Sequence, residues 1–310
     1  MENQTLTTNT FPNFDDIKVS TKTFIVTSNL DININNLFEQ LPVTEYEVVP
    51  KRRGRKKKSS IPDPNQNIKD GSIITLEHEG KIRGVDLKKK RSKKKNRGNY
   101  FRNSVTIVMT MPDNKKINFK VSRNGKFQMT GCKIDSHAVK CIEYMWNYMK
   151  EMKDVYTING DCFKVIFIPA MRNIDFSLGF LVNRETLDMY INEETEYHSL
   201  LETSFGYTGV NIKIPVVTPV EELKYNKFEC DSSGKWIQKT ITYKEYIDDL
   251  PEKEKEKKLN KERFNTFLVF HSGKIIMSGT EADVMRPTYY QFIDIIKKCH
   301  SLIEEKLEKD

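Results

Sequence analysis

Apolar and polar positions along the chain follow two rhythms, one of period two and one of period near 3.6, and they succeed each other in the same order twice. Val19–Ser28 (VSTKTFIVTS) is dense in β-branched residues and predicts a strand. Asp31–Leu41 then places apolar residues at 34, 37, 38 and 41, which is helical spacing, and Pro42 stops it. Ile73–Val85 alternates as a short hairpin and Phe101–Met109 as a strand. After a turn at residues 112–115 comes an apolar hairpin, Phe119–Gly131, and then a helix over 135–152. That helix carries Val139, Ile142, Met145, Trp146, Met149 and Met152 at spacings of three and four. From Phe163 the order recurs as a strand, a short helix near Leu187–Tyr190, and a strand over Tyr207–Pro215. The hairpin Phe267–Gly279 and a helix over 283–308 complete it, with Phe292, Ile296, Cys299, Ile303 and Leu307 on one helix face.

The two hairpins align without a gap at an offset of 148 residues. Gly125 falls on Gly273, Lys126 on Lys274, Met129 on Met277, Thr130 on Ser278 and Gly131 on Gly279. A hairpin and helix repeated once imply an internal duplication with approximate two-fold symmetry. Strands grouped beside helices, without strict alternation, predict the α+β class with the helices on one sheet face. The other face of an antiparallel sheet is left for solvent or a partner, and two such halves would make one continuous curved sheet. The expected division is an arm without structure at 1–17, a first repeat at 18–155 with a basic insertion at 49–100, and a second repeat at 162–310. The second repeat holds a charged insertion at 216–263, which ends in PEKEKEKKLNKE, whose mixed charges suggest an exposed helix or tail.

Charge sharpens this picture. The net charge is +8, yet the run Lys51–Lys58 holds seven basic residues and Lys88–Arg97 holds eight, so without them the chain stands at −7. Attraction to a polyanion is therefore concentrated in two mobile basic loops, which bind phosphate or an import receptor without a fold of their own. Five cysteines with no C-x-x-C spacing point to reduced thiols inside a cell. No apolar run approaches membrane-spanning length and the N-terminus is polar, so a soluble protein that is not secreted is expected. Cys132, His137 and Cys141 cluster near a helix start, but without a fourth ligand no metal site is expected. The chain lacks G-x-S-x-G, H-E-x-x-H and phosphate-loop patterns, and neither an enzyme nor a cofactor is expected.

The segment FLVFHSGKIIMSG, with its partner FKVSRNGKFQMTG, resembles the I-F-x-S-G-K-x-x-x-T-G-A-K signature of TATA-box-binding proteins. The long insertions and the Asn/Lys-rich composition are similar to the divergent members of that family in giant DNA viruses. The resemblance implies a pseudosymmetric saddle whose concave antiparallel sheet lies on the DNA minor groove, with the helices on the convex face. Inserted phenylalanines kink the duplex in that family. Carried over by position, Phe270 is the inserting phenylalanine of the second hairpin, Leu268 its apolar neighbour, and Ile276 and Ser278 the groove-facing pair. Tyr207 and Phe101 are the candidates on the preceding strands. In the first hairpin Thr130 keeps the family's threonine, whereas Ser122 and Gln128 stand where a phenylalanine and a valine are expected. Thr21 or Thr23 occupies the first central asparagine site, and Asn173 reaches the second when a gap is allowed.

Loop contacts to phosphate are expected from Lys51, Arg52, Arg53, Arg55, Lys88, Lys89, Lys90 and Arg91. The implied function is a general transcription initiation factor that bends AT-rich promoter double-stranded DNA. Its implied partners are an initiation factor of the TFIIB type and RNA polymerase, with no membrane partner. Nucleus or cytoplasmic viral factory is the implied location, and packaging in virions is compatible with it. The alternative is an architectural or protein-interaction saddle that has lost sequence-specific DNA binding. A nuclease or glycosylase carrying such a module would need a catalytic domain for which the insertions are too short.

Overall fold

A computed structural model describes residues 11–48, 64–87, 102–113, 115–201, 209–231 and 233–306. In chain order its elements begin with β1 (Val19–Ser28), β2 (Leu30–Ile32), α1 (Ile34–Gln40), β3 (Ile73–His78) and β4 (Lys81–Gly84). There follow β5 (Ser104–Thr110), β6 (Lys116–Ser122), β7 (Lys126–Cys132), α2 (Asp135–Met149), β8 (Tyr156–Ile158) and β9 (Phe163–Ser177). Next come α3 (Arg184–Glu194), β10 (His198–Leu201), β11 (Gly209–Pro215), β12 (Lys224–Cys230) and β13 (Trp236–Thr242). The chain closes with α4 (Tyr243–Asp248), α5 (Glu252–Leu259), β14 (Phe264–Phe270), β15 (Lys274–Gly279) and α6 (Ala282–Ile303). The class is α+β, as the grouping of strands and helices indicates.

Two compact units divide the chain. The amino-terminal unit comprises Thr23–Ile168 and Tyr225–Ile241, and the carboxy-terminal unit Met1–Lys22, Pro169–Lys224 and Thr242–Asp310. In the amino-terminal unit the strands run in the order β1-β7-β6-β5-β3-β4. Alternate residues of each strand face α1 and α2, so Phe24, Val26, Ile107, Phe119 and Met129 join Leu37, Phe38, Ile142 and Met145 in one core. In the carboxy-terminal unit the order is β10-β11-β14-β15-β9. There Ile174, Phe176, Ile212, Phe267 and Met277 pack against Leu187 and Ile191 of α3 and against Tyr289, Phe292 and Ile296 of α6. Phe267 stacks on Phe292 with ring centroids 4.1 Å apart.

The duplication extends to individual hydrogen bonds. Gly125 and Gly273, each with positive φ (64° and 73°), close the two hairpins. A side chain at either position would run into a backbone carbonyl, that of Leu30 or that of Phe180. In the amino-terminal unit Ser28 N donates to Gly125 O at 3.1 Å and Ile32 N to Arg123 O at 2.7 Å. In the carboxy-terminal unit Leu178 N donates to Gly273 O at 2.9 Å and Val182 N to His271 O at 2.8 Å. An asparagine then caps the next helix in both: Asn33 Oδ1 accepts from Asn36 N at 3.2 Å and Asn183 Oδ1 from Thr186 N at 3.0 Å. Even the capping residues' own N–H groups have matching partners, Val155 O and Ile303 O.

Several expectations are corrected. The arm was expected to lack structure through residue 17, yet Phe14 is 1% exposed and Ile17 9%. Phe14 packs on Tyr289, whose hydroxyl donates to Pro12 O at 2.6 Å and whose burial raises its pKa to about 12. Residues 11–17 are held by Phe14, with Phe11 and Ile17 packed into the same core, a signal too sparse for a composition argument. The helix expected near Leu187–Tyr190 spans Arg184–Glu194, because the Asn183 cap starts it earlier. The charged insertion ends as expected in an exposed helix, α5, but the rest of it is built into the fold. Its β12 pairs antiparallel with the first part of β9, Cys230 opposite Phe163 and Asn226 opposite Phe167, inside the amino-terminal unit. Within it α5 and β13 have no buried residue, whereas α4 buries Tyr243, Tyr246 and Ile247.

Candidate nucleic-acid interface

The face of the carboxy-terminal sheet turned away from α3 and α6 carries a cross-strand array. Because Phe267, Val269, Ile275 and Met277 point to the core, Leu268, Phe270, Ile276 and Ser278 share the opposite face, each half-buried. Register aligns them: Leu268 opposes Ile276, which opposes Asp175, and Thr266 opposes Ser278, which opposes Asn173. On the other side Leu268 opposes Asn211, and Asn211 opposes Leu200, which is 60% exposed. Phe270 opposes Gly209, and Leu268 leans over that glycine so closely that a methyl group there would meet Leu268 Cδ1 at 2.7 Å. The missing side chain thus sets how Leu268 lies on the open face.

Beside this apolar row runs a polar one. Ser20 Oγ donates to Asn173 O at 3.2 Å and to Asp175 Oδ1 at 3.3 Å, fixing the edge of the array. Asn173 Oδ1 is buried and has no hydrogen-bond partner among the described residues. An unpaired buried acceptor is costly in a free protein, so Asn173 is the most exacting polar group on this face.

The equivalent face of the amino-terminal unit differs in chemistry. Thr106, Lys120 and Gln128 oppose one another across β5, β6 and β7, as do Asn118 and Thr130, and Ser104 opposes Ser122. Thr130 Oγ1 is turned back on Asn118 O at 3.2 Å. No aromatic or aliphatic counterpart of Leu268, Phe270 or Ile276 occurs at these positions. The departures at Ser122 and Gln128 therefore stand on a mostly polar face, on which Val108, opposite Asn118, is apolar.

The remaining candidates divide. Thr21 is half-buried, whereas Thr23 is only 9% exposed, next to the core residue Phe24. Phe101, Tyr207 and the basic residues Lys51, Arg52, Arg53, Arg55, Lys88, Lys89, Lys90 and Arg91 lie outside the described residues. Leu200, Thr266 and Asn211 join the site without having been expected there. Alternation with Ile212 and Phe267 carried the signal for Asn211 and Thr266, while the four residues of β10 were too few to show a period. Of the cysteine and histidine group, Cys132 and Cys141 are buried. His137 Nε2 lies 3.3 Å from Asp113 Oδ2, and Nδ1 accepts from Lys133 N at 3.3 Å. Burial lowers the pKa of His137 against the opposing pull of Asp113. Among the described residues no helix is long and apolar enough to cross a membrane.

No protein-family model matches the chain. A protein of Invertebrate iridescent virus 6, described as uncharacterized protein 335L, is 24% identical over 287 residues, which is 90% of this chain and 83% of that protein. A TATA-box-binding protein-like protein of Acanthamoeba polyphaga mimivirus is 30% identical over 230 residues, 70% of this chain and 56% of that longer protein. Among solved structures, Methanococcus jannaschii TBP is 15% identical, with a TM-score of 0.43, over 93% of this chain and 99% of that one. The likeness to this TATA-box-binding protein-like protein of a giant virus thus extends over most of the chain.

Proposed function

We propose that this chain is a binding protein, not an enzyme, which engages the minor groove of AT-rich promoter DNA and bends it to nucleate transcription initiation. The observation that carries this reading is the apolar row of Leu268, Phe270 and Ile276 in register beside Ser278 and Asn173. The minor groove offers few donors and acceptors, so an apolar sheet face displaces its water at little cost. Unstacking a base step costs a few kcal/mol, which an inserted ring offsets by apolar contact. Phe270, at the end of β14 beside the hairpin turn, is the residue with the reach to do this. The likeness to a giant-virus protein described as TATA-box-binding protein-like supports the same reading. Partners of the TFIIB type and RNA polymerase, and action in a nucleus or viral factory, follow from it.

The test is the bend of an AT-rich duplex, read by fluorescence energy transfer between labelled ends. Wild type should bend it, and Phe270→Ala should lose most of the bend. If Phe270→Ala keeps both bend and affinity, the minor-groove reading fails. A wild type that binds no duplex would make the open face a protein-binding platform instead.

A further inference from the structure

Most arginines among the described residues are engaged. Arg83 reaches the carbonyls of Phe38 and Glu39, Arg263 the Tyr243 hydroxyl, and Arg286 both Asp15 and Asp283. Arg172 and Arg184 also have partners. Arg102 and Arg123 are the exceptions: both are exposed, and among the described residues neither guanidinium has an ion pair or hydrogen bond. They line one open depression at the end of the amino-terminal sheet, together with Ser104, Ser122, Asn103 and Asn124.

The backbone beneath them is fixed. Ser104 and Ser122 are paired across β5 and β6, Arg123 N donates to Asn103 O at 3.0 Å, and Arg123 O accepts from Ile32 N at 2.7 Å. Long side chains on a pinned backbone lose less freedom when a ligand fixes them than side chains on a loose loop. Asp31 also lines the depression, and its Oδ2 already accepts from Asn159 Nδ2 at 3.0 Å. Two guanidinium groups against one carboxylate leave one net positive charge. That matches the single charge of a phosphodiester better than the double charge of a terminal phosphate. Glu79 and Asp154, in the adjoining groove, further discourage a dianion. The guanidinium fork suits bidentate phosphate oxygens, and serine hydroxyls and asparagine amides supply the remaining donors.

We propose that Arg102 and Arg123, with the hydroxyls of Ser104 and Ser122, form a phosphodiester pocket by which the amino-terminal unit grips the DNA backbone. This rests on the reading that the chain binds duplex DNA. It gives the polar sheet a role of its own: where the resemblance leads one to expect an inserted phenylalanine at Ser122, the residue helps hold phosphate.

The test uses the full-length double variant R102Q/R123Q, its fold checked by circular dichroism, on the same AT-rich duplex. For every phosphate the variant no longer neutralises, the plot of log affinity against log salt should flatten by about 0.9. Affinity near physiological salt should fall by about tenfold or more, as when a charge-assisted hydrogen bond is removed. R102K/R123K should keep the slope while losing part of the affinity, because an ammonium lacks the fork. A slope and affinity unchanged in R102Q/R123Q, with wild type binding normally, would overturn the pocket. If wild type binds no duplex, the functional reading falls separately, and dimethyl phosphate decides the pocket. Amide shifts of Asn103 and Arg123 on titrating it into labelled wild type, absent in R102Q/R123Q, support the site; no shifts overturn it.

Discussion

Gly131 and Gly279 occupy the same place in the two hairpins, and their neighbours show that identical letters serve different physics. Gly131 has φ of 81° and nothing within 4 Å of where a side chain would stand. Gly279 has no positive φ, but a methyl group there would meet Asn265 Oδ1 and Met285 Cγ. Asn265 is 1% exposed and its amide donates to Val284 O at 3.0 Å and to Thr288 Oγ1 at 2.9 Å, tying β14 to the first turns of α6. Gly131→Ala should cost about 1–2 kcal/mol of left-handed strain, and Gly131→Asn should recover much of it, since asparagine tolerates that conformation. Gly279→Ala should cost about 3 kcal/mol, the upper range for overpacking, because the buried amide must also move. Gly279→Asn should be worse still. Urea unfolding of the four variants checks this, and an asparagine that helps at both positions would refute the distinction.

At the scale of elements, the β12–β13 hairpin is the least expected part of the molecule, and it lays aromatic rings on β9. Trp146 stacks on Phe163 at 4.3 Å, Phe163 meets Trp236 edge-on at 5.5 Å, and Phe167 meets Phe228 at 5.3 Å. The hairpin thus covers β9 where the amino-terminal core would otherwise face water. Replacing residues 225–241 by a short Gly/Ser link should lower stability by several kcal/mol, as removal of large buried aromatics does. Trp146 and Trp236 are the only tryptophans of the chain, so emission from the shortened protein reports Trp146 alone. That emission should shift to the red relative to Trp236→Phe. An unshifted spectrum with unchanged stability would show that the hairpin does not dock on β9.

For the whole molecule, charge decides the terms of binding. With the two basic runs removed the remaining residues carry a net −7, so the body repels a polyanion except where lysines and arginines face it. Replacing residues 51–58 and 88–97 by Gly/Ser should reduce the salt dependence of duplex binding by about one unit for each phosphate the runs neutralise. It should leave the bend measured with saturating protein unchanged, since bending is assigned to the apolar face. A salt slope identical to wild type would assign the runs to another partner, such as an import receptor.

What the sequence alone determined about this protein was local. The strand and helix periods, the turn glycines and the repeated hairpin each depend on neighbours within one element, and for these the pattern was sufficient. The family resemblance named Leu268, Phe270, Ile276 and Ser278, and alternation in a strand, fixed by the pleat, puts them on one face. Tertiary structure alone decided the rest. Thr23 is buried and Asn173 presents an unpaired oxygen, outcomes set by neighbouring strands and not by their own flanks. Phe14 on α6, β12 on β9, and Arg102 beside Arg123 join residues far apart in the chain, and no local period encodes such a pairing. Along β9 the core-facing positions change from Phe163, Val165 and Phe167 to Ile174 and Phe176. Which residues of a strand face a core is chosen only by the contacts each part makes on folding.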